Sequence, residues 1–578
     1  MIKKLYKAIF LLSILATVYS CGKGFLEPKP QGILSPTQVN NTQGVESALI
    51  GAYGIMNGNI NGTWGNYSSG PSQWLFGEVG ADDAHKGSNS SDQALMSDIE
   101  LHNVQSTNDE LPGMWRVYYE GVTRCNTTLR LLKEVQAGTG DKFSADRATQ
   151  IAAEAKMLRG HYYFFLARLF KNIPYIDETM SDPDKAKVKN DKDVFPMIEA
   201  DFKAAIAGLP ADYSKPLGQV GRMDKYAAEA YLGKLYLYQK RYAEALPLLT
   251  DVINKKPALT SLSFTANFNI KTKNGAEGIM VAQSIINPDG SGDNANVGDM
   301  LAGLYGNSPG GCCGFFQPSV DLVNAFKVGP DGLPYLDGSY RTNPYISDQK
   351  LTGAAIDNYK VDTTLVFDPR FDYTIGRRQV QYRDWGPLVP GWIRDQPFGG
   401  PFVAVKQNIN QADFSGNVAT GANYLTAQNI NIIRLSDVYL MAAECAVENS
   451  QLGQALILVN MVRTRAAQLL STPVLTASGN PAAVYKISNY PAFPSQDYAR
   501  KAVQFERRLE LALEGHRYYD LARWGTIQDV LTSYLNFEKN YVNASAVTPT
   551  LTFPDWSKGM PIPQEQIDRA QGILKQNQ

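Results

Sequence analysis

Residues 505–525 read FERRLELALEGHRYYDLARWG, and this stretch decides the fold. Its apolar residues recur at a spacing close to 3.6, which predicts an amphipathic helix that packs on a core. Gly515 falls in the middle of this helix, where a glycine costs roughly 1 kcal/mol relative to alanine. We therefore expect another backbone to pass close to Gly515. Two pairs of opposite charge lie three residues apart, where helical side chains can meet: Arg507 with Glu510, and Glu514 with Arg517.

The same stretch carries many distinctive polar positions besides its apolar ones. It resembles the signature of the SusD/RagB family of Bacteroidetes outer-membrane lipoproteins, E-R-R-x-E-L-x-x-E-G-x-R-x-x-D-L-x-R-W-G. The resemblance implies that Glu514, His516 and Asp520 make packing and salt-bridge contacts rather than a catalytic site. The matching residues are Glu506, Arg507, Arg508, Glu510, Leu511, Glu514, Gly515, Arg517, Asp520, Leu521, Arg523, Trp524 and Gly525.

Other segments of the chain resemble the same family. Residues 154–170 read EAKMLRGHYYFFLARLF, a helical pattern in which we expect His161 to be packed in the core. Residues 368–371 read DPRF, and Ile567 belongs to a motif that resembles the family's C-terminal P-I-P-x-x-E-I. The resemblance therefore touches the chain from Cys21 to Ile567, with gaps in the loops.

The sequence predicts a mainly all-α fold built from tetratricopeptide-like helix pairs. Residues 232–257 carry the tetratricopeptide spacing, with small side chains at Gly233 and Ala245 that let two helices approach. A weaker pair covers residues 432–465. Between these helical parts the periodicity fades, and a long, aromatic-rich irregular region is usually functional. We expect one SusD-like domain over residues 21–578, with a helical scaffold over about 40–260 and 430–578 and a loop-rich binding region over about 260–430.

Composition excludes some classes of function. The formal net charge is −1 and 19% of the residues are charged, so no nucleic-acid-binding footprint is present. The five cysteines include no C-x-x-C motif, which leaves zinc ribbons and thioredoxin-type redox centres unsupported. No cofactor or metal site is predicted.

One segment partly matches a calcium-binding loop. Asp289, Ser291 and Asp293 have EF-hand-like spacing. Asn294 and Met300, however, stand where that loop requires a glycine and a glutamate. The EF-hand interpretation is therefore weak, and a structural calcium ion elsewhere stays an open alternative.

The N-terminus has the pattern of an exported lipoprotein. Three lysines precede an apolar run over residues 8–18, which is too short to span a bilayer as a helix. Residues 18–21 read VYSC and resemble a bacterial lipobox, with Tyr19 in place of a small residue. We predict a lipoprotein signal peptide over residues 1–20 and acyl chains on Cys21. The family resemblance implies an outer-membrane location that faces the cell exterior, and a plain secreted protein is the alternative.

Aromatic residues in glycine-rich loops are the candidates for ligand binding. Sugar C–H faces pack on aromatic rings, and sugar hydroxyls form their strongest hydrogen bonds with charged partners. Core packing is the alternative for each tryptophan. The predicted stacking residues are Trp64, Tyr67, Trp74, Trp385 and Trp392, and the predicted polar partners are Asp82, Asp83 and Arg383.

Cys312 and Cys313 are adjacent in the sequence and share a predicted ligand-binding loop with Tyr305. In an exported, oxidising setting two adjacent cysteines can close a vicinal disulfide, which would offer a small apolar platform to a ligand. Two reduced or buried thiols are the alternative. The pair resembles that of fructan-utilising members of the family, so the resemblance implies a fructan such as levan as the ligand.

The resemblance implies a binding function rather than an enzymatic one. SusD-like proteins capture oligosaccharides at the cell surface and act with a SusC-like TonB-dependent transporter in their import, so we expect both as partners. A peptide-binding, RagB-like lid on such a transporter is one alternative, which would use backbone pairing and pockets. A surface glycoside hydrolase is another, and it needs two carboxylates at a defined separation. A pure scaffold remains if the loop tryptophans are buried.

Overall fold

Helices are the main regular secondary structure of the protein, whose structure is a computed structural model. The predicted signal peptide, Cys21 and Trp64 lie outside the described residues. Within the described part of the chain, no helix is long and apolar enough to cross a membrane. The structure describes residues 39–60, 67–212, 219–544 and 559–577.

The longest helices lie in the first 255 residues and after residue 434, and short helices connect them. In the first half the helices are α1 (Thr42–Gly54), α2 (Met96–Glu100), α3 (Glu110–Ala137), α4 (Ala145–Phe170), α5 (Asp182–Lys185), α6 (Phe195–Gly208), α7 (Lys225–Tyr238) and α8 (Tyr242–Lys255). In the second half they are α9 (Val320–Ala325), α10 (Ala354–Asp357), α11 (Phe371–Thr374), α12 (Gln396–Gly399), α13 (Leu435–Glu448), α14 (Leu452–Ala467), α15 (Gln496–Leu511), α16 (Arg517–Trp524), α17 (Ile527–Glu538) and α18 (Gln564–Arg569).

The long helices pack on one another in succession. Helix α1 packs on α3, α3 on α4, α4 on α6, and α6 on α7. Helix α7 pairs with α8, α8 packs on α13, and α13 packs on α14 and α15. Gly233 shows how closely α7 and α8 approach, because a Cβ there would stand 2.7 Å from the side chain of Leu249. The prediction of a mainly α-helical fold of stacked helix pairs is confirmed.

The strands are short and form two-stranded sheets. In the described residues β1 pairs with β3, β2 with β9, β5 with β6 and β7 with β8, all antiparallel, whereas β4 and β10 are parallel. The strands are β1 (Ala84–Gly87), β2 (Gly278–Ala282), β3 (Phe315–Pro318), β4 (Val366–Phe367), β5 (Ile375–Gly376), β6 (Val403–Ala404), β7 (Val418–Ala419), β8 (Ala422–Thr426), β9 (Ile430–Arg434) and β10 (Val484–Tyr485).

One large apolar core joins the helical and the loop-rich parts of the chain. Its buried side chains run from Val45 in α1 to Ile562 near the C-terminus, and they include Phe315, Phe367 and Phe402 of the loop-rich part. Burial of apolar surface is the main favourable term in folding. The irregular segments are therefore held on the same core as the helices.

The signature stretch does not form the single helix that its periodicity predicts. Helix α15 ends at Leu511, and α16 begins at Arg517. Between them Leu513 and Gly515 have φ of 64° and 81°. A Cβ on Gly515 would stand 1.8 Å from the carbonyl oxygen of Ser72, so the predicted close backbone approach is confirmed. The helix breaks here because a residue without a Cβ allows this left-handed turn to sit against Ser72.

The charged residues of the stretch also pair differently from the prediction. Neither predicted pair three residues apart forms in the described structure: Arg507 and Glu510 both lie in α15 but bind residues of other elements, and the helix break separates Glu514 from Arg517. The predicted salt-bridge roles of Glu514 and Asp520 are confirmed. Each group meets a partner far along the chain: Arg507 meets Asp437 at 2.8 Å, Glu510 meets Arg434 at 2.6 Å, Glu514 meets Lys406 at 2.6 Å, and Arg517 meets Asp82 at 2.7 Å.

Candidate ligand-binding face

Trp74 lies in the core, so its predicted role in ligand binding is wrong. Only 1% of its surface is exposed. Its Nε1 donates a hydrogen bond to the carbonyl oxygen of Tyr67 (3.1 Å), and its ring meets those of Phe315 and Phe316 edge to face. The aromatic spacing of this segment indicated a loop, but residues 74–79 form one turn of buried π-helix.

Asp82 and Asp83 are also buried, and the prediction that they bind ligand hydroxyls is wrong. Arg508 bridges both carboxylates at 3.0 and 2.7 Å, and Arg517 approaches Asp82 to 2.7 Å. Burial alone would raise the pKa of the Asp82 carboxyl, but these two arginines hold it below its ordinary value. The two aspartates therefore tie the N-terminal part of the chain to the signature helices.

Tyr305 and Trp392 come together from two loops. The Tyr305 N–H donates to the carbonyl oxygen of Trp392 at 3.2 Å. Gly306 continues this contact, because a Cβ there would stand 3.0 Å from the carbonyl oxygen of Gly391. Both side chains are half-buried, and Trp392 packs on a small apolar cluster that includes Leu304. Two of the predicted ligand-binding residues are thus neighbours.

Cys312 and Cys313 are joined in a vicinal disulfide on the same loop. The Cys312 N–H donates to the carbonyl oxygen of Leu304 at 3.3 Å, so the disulfide folds back beside Tyr305. The turn before it lies against strand β8, since a Cβ on Gly311 would stand 3.3 Å from Asn423. Both cysteines are half-buried.

A charged pair lies at the edge of Tyr305. Arg394 and Asp92 form a salt bridge of 2.5 Å, and about a third of each side chain is exposed, at 32% and 33%. The Arg394 guanidinium lies 5.3 Å from the centre of the Tyr305 ring and also donates to the hydroxyl of Ser88 at 2.9 Å. Exposed pairs of this kind add little stability, about 0–1 kcal/mol. Their donors and acceptors remain available to a polar ligand.

Tyr67 and Tyr424 complete this surface, which we call the aromatic face. Burial raises the pKa of the Tyr67 phenol, and the neighbouring Glu110, Tyr424 and Asp92 raise it further, which locates these groups around it. A Cβ on Gly303 would approach the Cβ of Tyr424 to 3.9 Å. The aromatic face consists of Tyr67, Asp92, Tyr305, Cys312, Cys313, Trp392, Arg394 and Tyr424.

Trp385 packs on the same small apolar cluster as Trp392, whereas Arg383 lies elsewhere. The Trp385 Nε1 donates to the carbonyl oxygen of Ile409 at 2.9 Å, and its ring meets Phe414 edge to face at 5.3 Å. Arg383 is half-buried and lines a separate cavity of about 860 Å³. The structure therefore divides the predicted binding residues between two places.

Sequence reasoning missed three members of the aromatic face. Arg394 lies two residues after Trp392, so its position in the aromatic loop could have identified it as a binding candidate. Asp92 and Tyr424 stand in polar segments without a distinctive pattern, and the fold alone brings them here. Among the described residues, no group of three or more His, Cys, Asp or Glu side chains is arranged to hold a metal ion.

Comparison with known proteins gives consistent matches along the chain. A model described as the SusD family matches residues 276–578, and one described as starch-binding and associating with the outer membrane matches residues 24–237. A SusD-like protein from Formosa agariphila is 24% identical over 98% of this chain and 97% of that protein.

Solved structures with the same fold include proteins named for laminarin binding or glycan binding. A laminarin-binding SusD-like protein superposes with a TM-score of 0.63 at 22% identity, covering 93% of this chain and 99% of that one. Surface glycan-binding protein A from Bacteroides thetaiotaomicron, in complex with laminarihexaose, superposes with a TM-score of 0.62 at 18% identity over the same shares of the two chains. At these identities the superpositions establish the fold.

Proposed function

This chain belongs to the SusD family, and on that premise we propose that it captures an oligosaccharide on the aromatic face without chemically altering it. The observation that carries the proposal is the grouping of Tyr305, Trp392 and the Cys312–Cys313 disulfide in adjacent loops. Ring faces and a disulfide offer apolar contact area to the C–H faces of a sugar. The half-buried state of these groups leaves that area accessible to a ligand.

The charged pair at the edge of the face supports a polyhydroxylated ligand. A sugar that packs on Tyr305 would bring hydroxyl groups within reach of Arg394, whose guanidinium is 5.3 Å from the ring centre, and of Asp92, which lies 2.5 Å from Arg394. Hydrogen bonds to ionised groups are roughly twice as strong as neutral ones. The pair would therefore orient the sugar, while the rings would supply most of the contact area.

The arrangement favours binding over hydrolysis. A glycoside hydrolase needs two carboxylates on opposite sides of the scissile bond, one of them protonated as an acid. Asp92, the carboxylate at the edge of the aromatic face, is committed to Arg394. The proposed function is accordingly capture alone.

Family membership supports a role in import across the outer membrane. The description of the second matching family places such proteins at the outer membrane. We propose that this chain is anchored there by acyl chains on Cys21, faces the cell exterior, and closes over a SusC-like TonB-dependent transporter. Two or more acyl chains give stable anchoring, whereas one gives marginal binding.

The ligand class can be narrowed to two families of glycan. The adjacent cysteines resemble those of fructan-utilising members, which favours levan or inulin. Two structural neighbours are named for laminarin or are in complex with laminarihexaose, which favours a β-glucan. Both classes present a succession of sugar rings that can lie across Tyr305 and Trp392.

The test is native affinity electrophoresis of the purified mature protein through gels that contain levan, inulin, laminarin, starch, xylan or mannan. We expect one polysaccharide to retard the protein, and Tyr305→Ala or Trp392→Ala to weaken this binding about tenfold, equal to roughly 1.4 kcal/mol. Tyr335→Ala, a half-buried tyrosine outside the face, is the matched control. If no glycan retards the protein, or if the control is affected equally, the proposal is wrong and peptide capture becomes the better hypothesis.

A further inference from the structure

A second cavity lies beside the α14 C-terminus and shares no residue with the aromatic face. It measures about 860 Å³, within the range of roughly 300–1,000 Å³ that is typical of small-molecule sites. Its floor is the edge-to-face pair Phe264 and Phe268, whose ring centres are 5.4 Å apart. Half-buried Tyr373 forms a wall, and Leu475, 40% exposed, stands at the rim. We propose that this cavity binds an acidic saccharide whose carboxylate meets Arg383.

Arg383 is a half-buried cation that no carboxylate neutralises directly. Its guanidinium donates four hydrogen bonds to neutral oxygens, those of Val405 (3.2 and 3.0 Å), Phe268 (3.0 Å) and Asn410 (3.3 Å). An arginine has five N–H groups, so one remains for a ligand. Among the described residues, no carboxylate oxygen lies within 4.0 Å of its nitrogens.

The acidic residues nearest to Arg383 are committed elsewhere. Asp384 accepts the backbone N–H groups of Gln411 and Ala412 at 2.6 and 2.9 Å. Asp413 forms a salt bridge of 2.6 Å with Lys271. Burial lowers the pKa of Arg383, as expected for a cation that lacks a bonded counter-ion. A carboxylate from a ligand would supply that counter-ion.

A second guanidinium on the same wall also has an unused donor. Arg465 is fully buried and is neutralised by Glu277 at 2.8 Å and by Glu510, while its Nε, which is closed off from solvent, has no hydrogen-bond partner within the described structure. Its guanidinium lies 5.2 Å from the centre of the Phe264 ring, beside the cavity floor. The one buried carboxylate of the lining, Asp372, is neutralised by Arg377 at 2.7 Å. Of the two guanidinium groups on this wall, that of Arg383 therefore lacks a bonded carboxylate and favours an anion.

The remaining lining favours a sugar over an alkyl or aromatic acid. Amide and hydroxyl side chains surround the mouth, among them Asn269, Gln381 and Ser471. The side-chain amide of Gln381 makes no hydrogen bond within the described part of the chain, while its backbone N–H donates to Leu475 at 2.8 Å. Such groups suit the hydroxyls of a pyranose ring, and Tyr373 suits its C–H face. A uronate-containing oligosaccharide combines both features with a carboxylate.

The site is tested by isothermal titration of the purified protein with oligogalacturonate, oligomannuronate and oligoguluronate, and with fully methyl-esterified oligogalacturonate as the uncharged counterpart. We expect at least one acidic oligosaccharide to bind. We expect Gln381→Glu to weaken that binding about tenfold or more, because it places a carboxylate next to Arg383. Gln451→Glu is the matched control, since it adds the same charge at an exposed position at the start of α14.

Two further measurements distinguish binding in this cavity from an effect on folding and from binding on the aromatic face. Ala477→Trp at the exposed mouth should block the cavity without disturbing the core. Hydrogen exchange should show protection by the acidic ligand in residues 263–269 and 471–479, and not in residues 303–314. If no acidic oligosaccharide binds, if the ester binds equally, or if the protection falls on residues 303–314, the inference is overturned. A neutral glycan on the aromatic face is unaffected by these outcomes.

Discussion

Gly77 and Gly515 meet backbone to backbone, because a Cβ added to Gly77 would stand 2.4 Å from the carbonyl oxygen of Gly515. Glu78, the next residue, accepts the backbone N–H groups of Gly515 and His516 at 2.5 and 3.0 Å. The turn between α15 and α16 is thus fixed to a segment more than 400 residues away in the sequence. This contact explains why a glycine interrupts a stretch whose spacing predicts a continuous helix.

Substitution of Gly515 by alanine should destabilise the protein strongly. The left-handed backbone with φ of 81° costs an alanine roughly 1–2 kcal/mol, and the new Cβ would stand 1.8 Å from the Ser72 oxygen. Overpacking of this kind adds roughly 1–3 kcal/mol. The matched control is Gly525→Ala, which has φ of 74° but no atom within 4 Å. Thermal unfolding should show the larger loss for Gly515→Ala, and equal losses would contradict the contact.

Much of the fold could be predicted from local sequence patterns. The features that could not be predicted depend on residues far away in the sequence. Periodicity identified the helix over residues 154–170 and the pair around Gly233, because both depend on neighbours within a few turns. The partners of Arg507 and Arg517 could not be predicted, since Asp82 lies 435 residues from Arg517. A charged side chain in a helical pattern normally indicates a solvated face, and here it indicates a buried ion network.

The binding residues show the same difference between local sequence patterns and long-range contacts. Composition and spacing selected Tyr305, Trp392 and the cysteines, because aromatic loops are unusual in any setting. The burial of Trp74 and Asp83 could not be read from the sequence, since each depends on elements that arrive from the second half of the chain. The pairing of Arg394 with Asp92 could not be predicted either, because the two residues lie 302 positions apart in the sequence.

His85 should make stability depend on pH in the alkaline range. It lies between two buried carboxylates, 2.7 Å from Glu100 and 2.9 Å from Glu538, beside the ring of Tyr534. Burial alone would lower its pKa, but these hydrogen bonds raise it from 6.5 to about 10. The stabilisation is therefore fully present below pH 6.5 and is lost as the pH rises through 10.

The variant His85→Gln tests this sign. It leaves two buried carboxylates without their cation and should cost roughly 3–5 kcal/mol at pH 7. Chemical denaturation of wild type and variant across pH 6–10.5 measures the difference between their free energies of unfolding. This difference should shrink as the pH rises. Lysine and tyrosine titrations do not contribute to it, because they are common to both proteins. If the difference in free energy of unfolding stays constant over this range, His85 is neutral in the folded state.

The vicinal disulfide should matter for ligand binding more than for stability. Closing a ring between adjacent residues constrains the unfolded chain little, so the double variant Cys312→Ser/Cys313→Ser should lose only about 1 kcal/mol. Loss of the apolar sulfur surface should weaken glycan binding several-fold. The other described cysteines, Cys125 and Cys445, are free thiols, so among the described residues a mild reductant should act on this disulfide alone.

Thiol counting provides the control for that experiment. Native protein whose Cys21 is acylated or removed should show no thiol reactive with an aromatic disulfide reagent, and reduction should expose two. Reduction of wild type should reproduce the binding loss of the double variant, and reduction of the double variant should change nothing. Two reactive thiols in unreduced protein would contradict the disulfide.

The lipid anchor can be tested separately from the ligand. Cys21→Ser should abolish incorporation of labelled palmitate and move the full chain from the membrane fraction to the soluble fraction, because the thioether to lipid can no longer form. Cys125→Ser, at a buried position in α3, should leave both properties unchanged. Membrane retention of the Cys21→Ser protein would show that another contact, such as the transporter, holds it there.

Arg394 distinguishes a binding role from a stabilising one. Its pair with Asp92 is partly exposed, so Arg394→Ala should change the free energy of unfolding by less than about 1 kcal/mol. Loss of its charge-assisted hydrogen bonds should weaken oligosaccharide binding about tenfold. Arg500→Ala removes a comparable surface pair with Glu448 at 2.6 Å on α15, away from the aromatic face, and should alter neither property. Titration with the oligosaccharide and thermal unfolding of the two variants distinguish these roles. If Arg394→Ala loses stability but not binding, Arg394 stabilises its loop and does not bind the ligand.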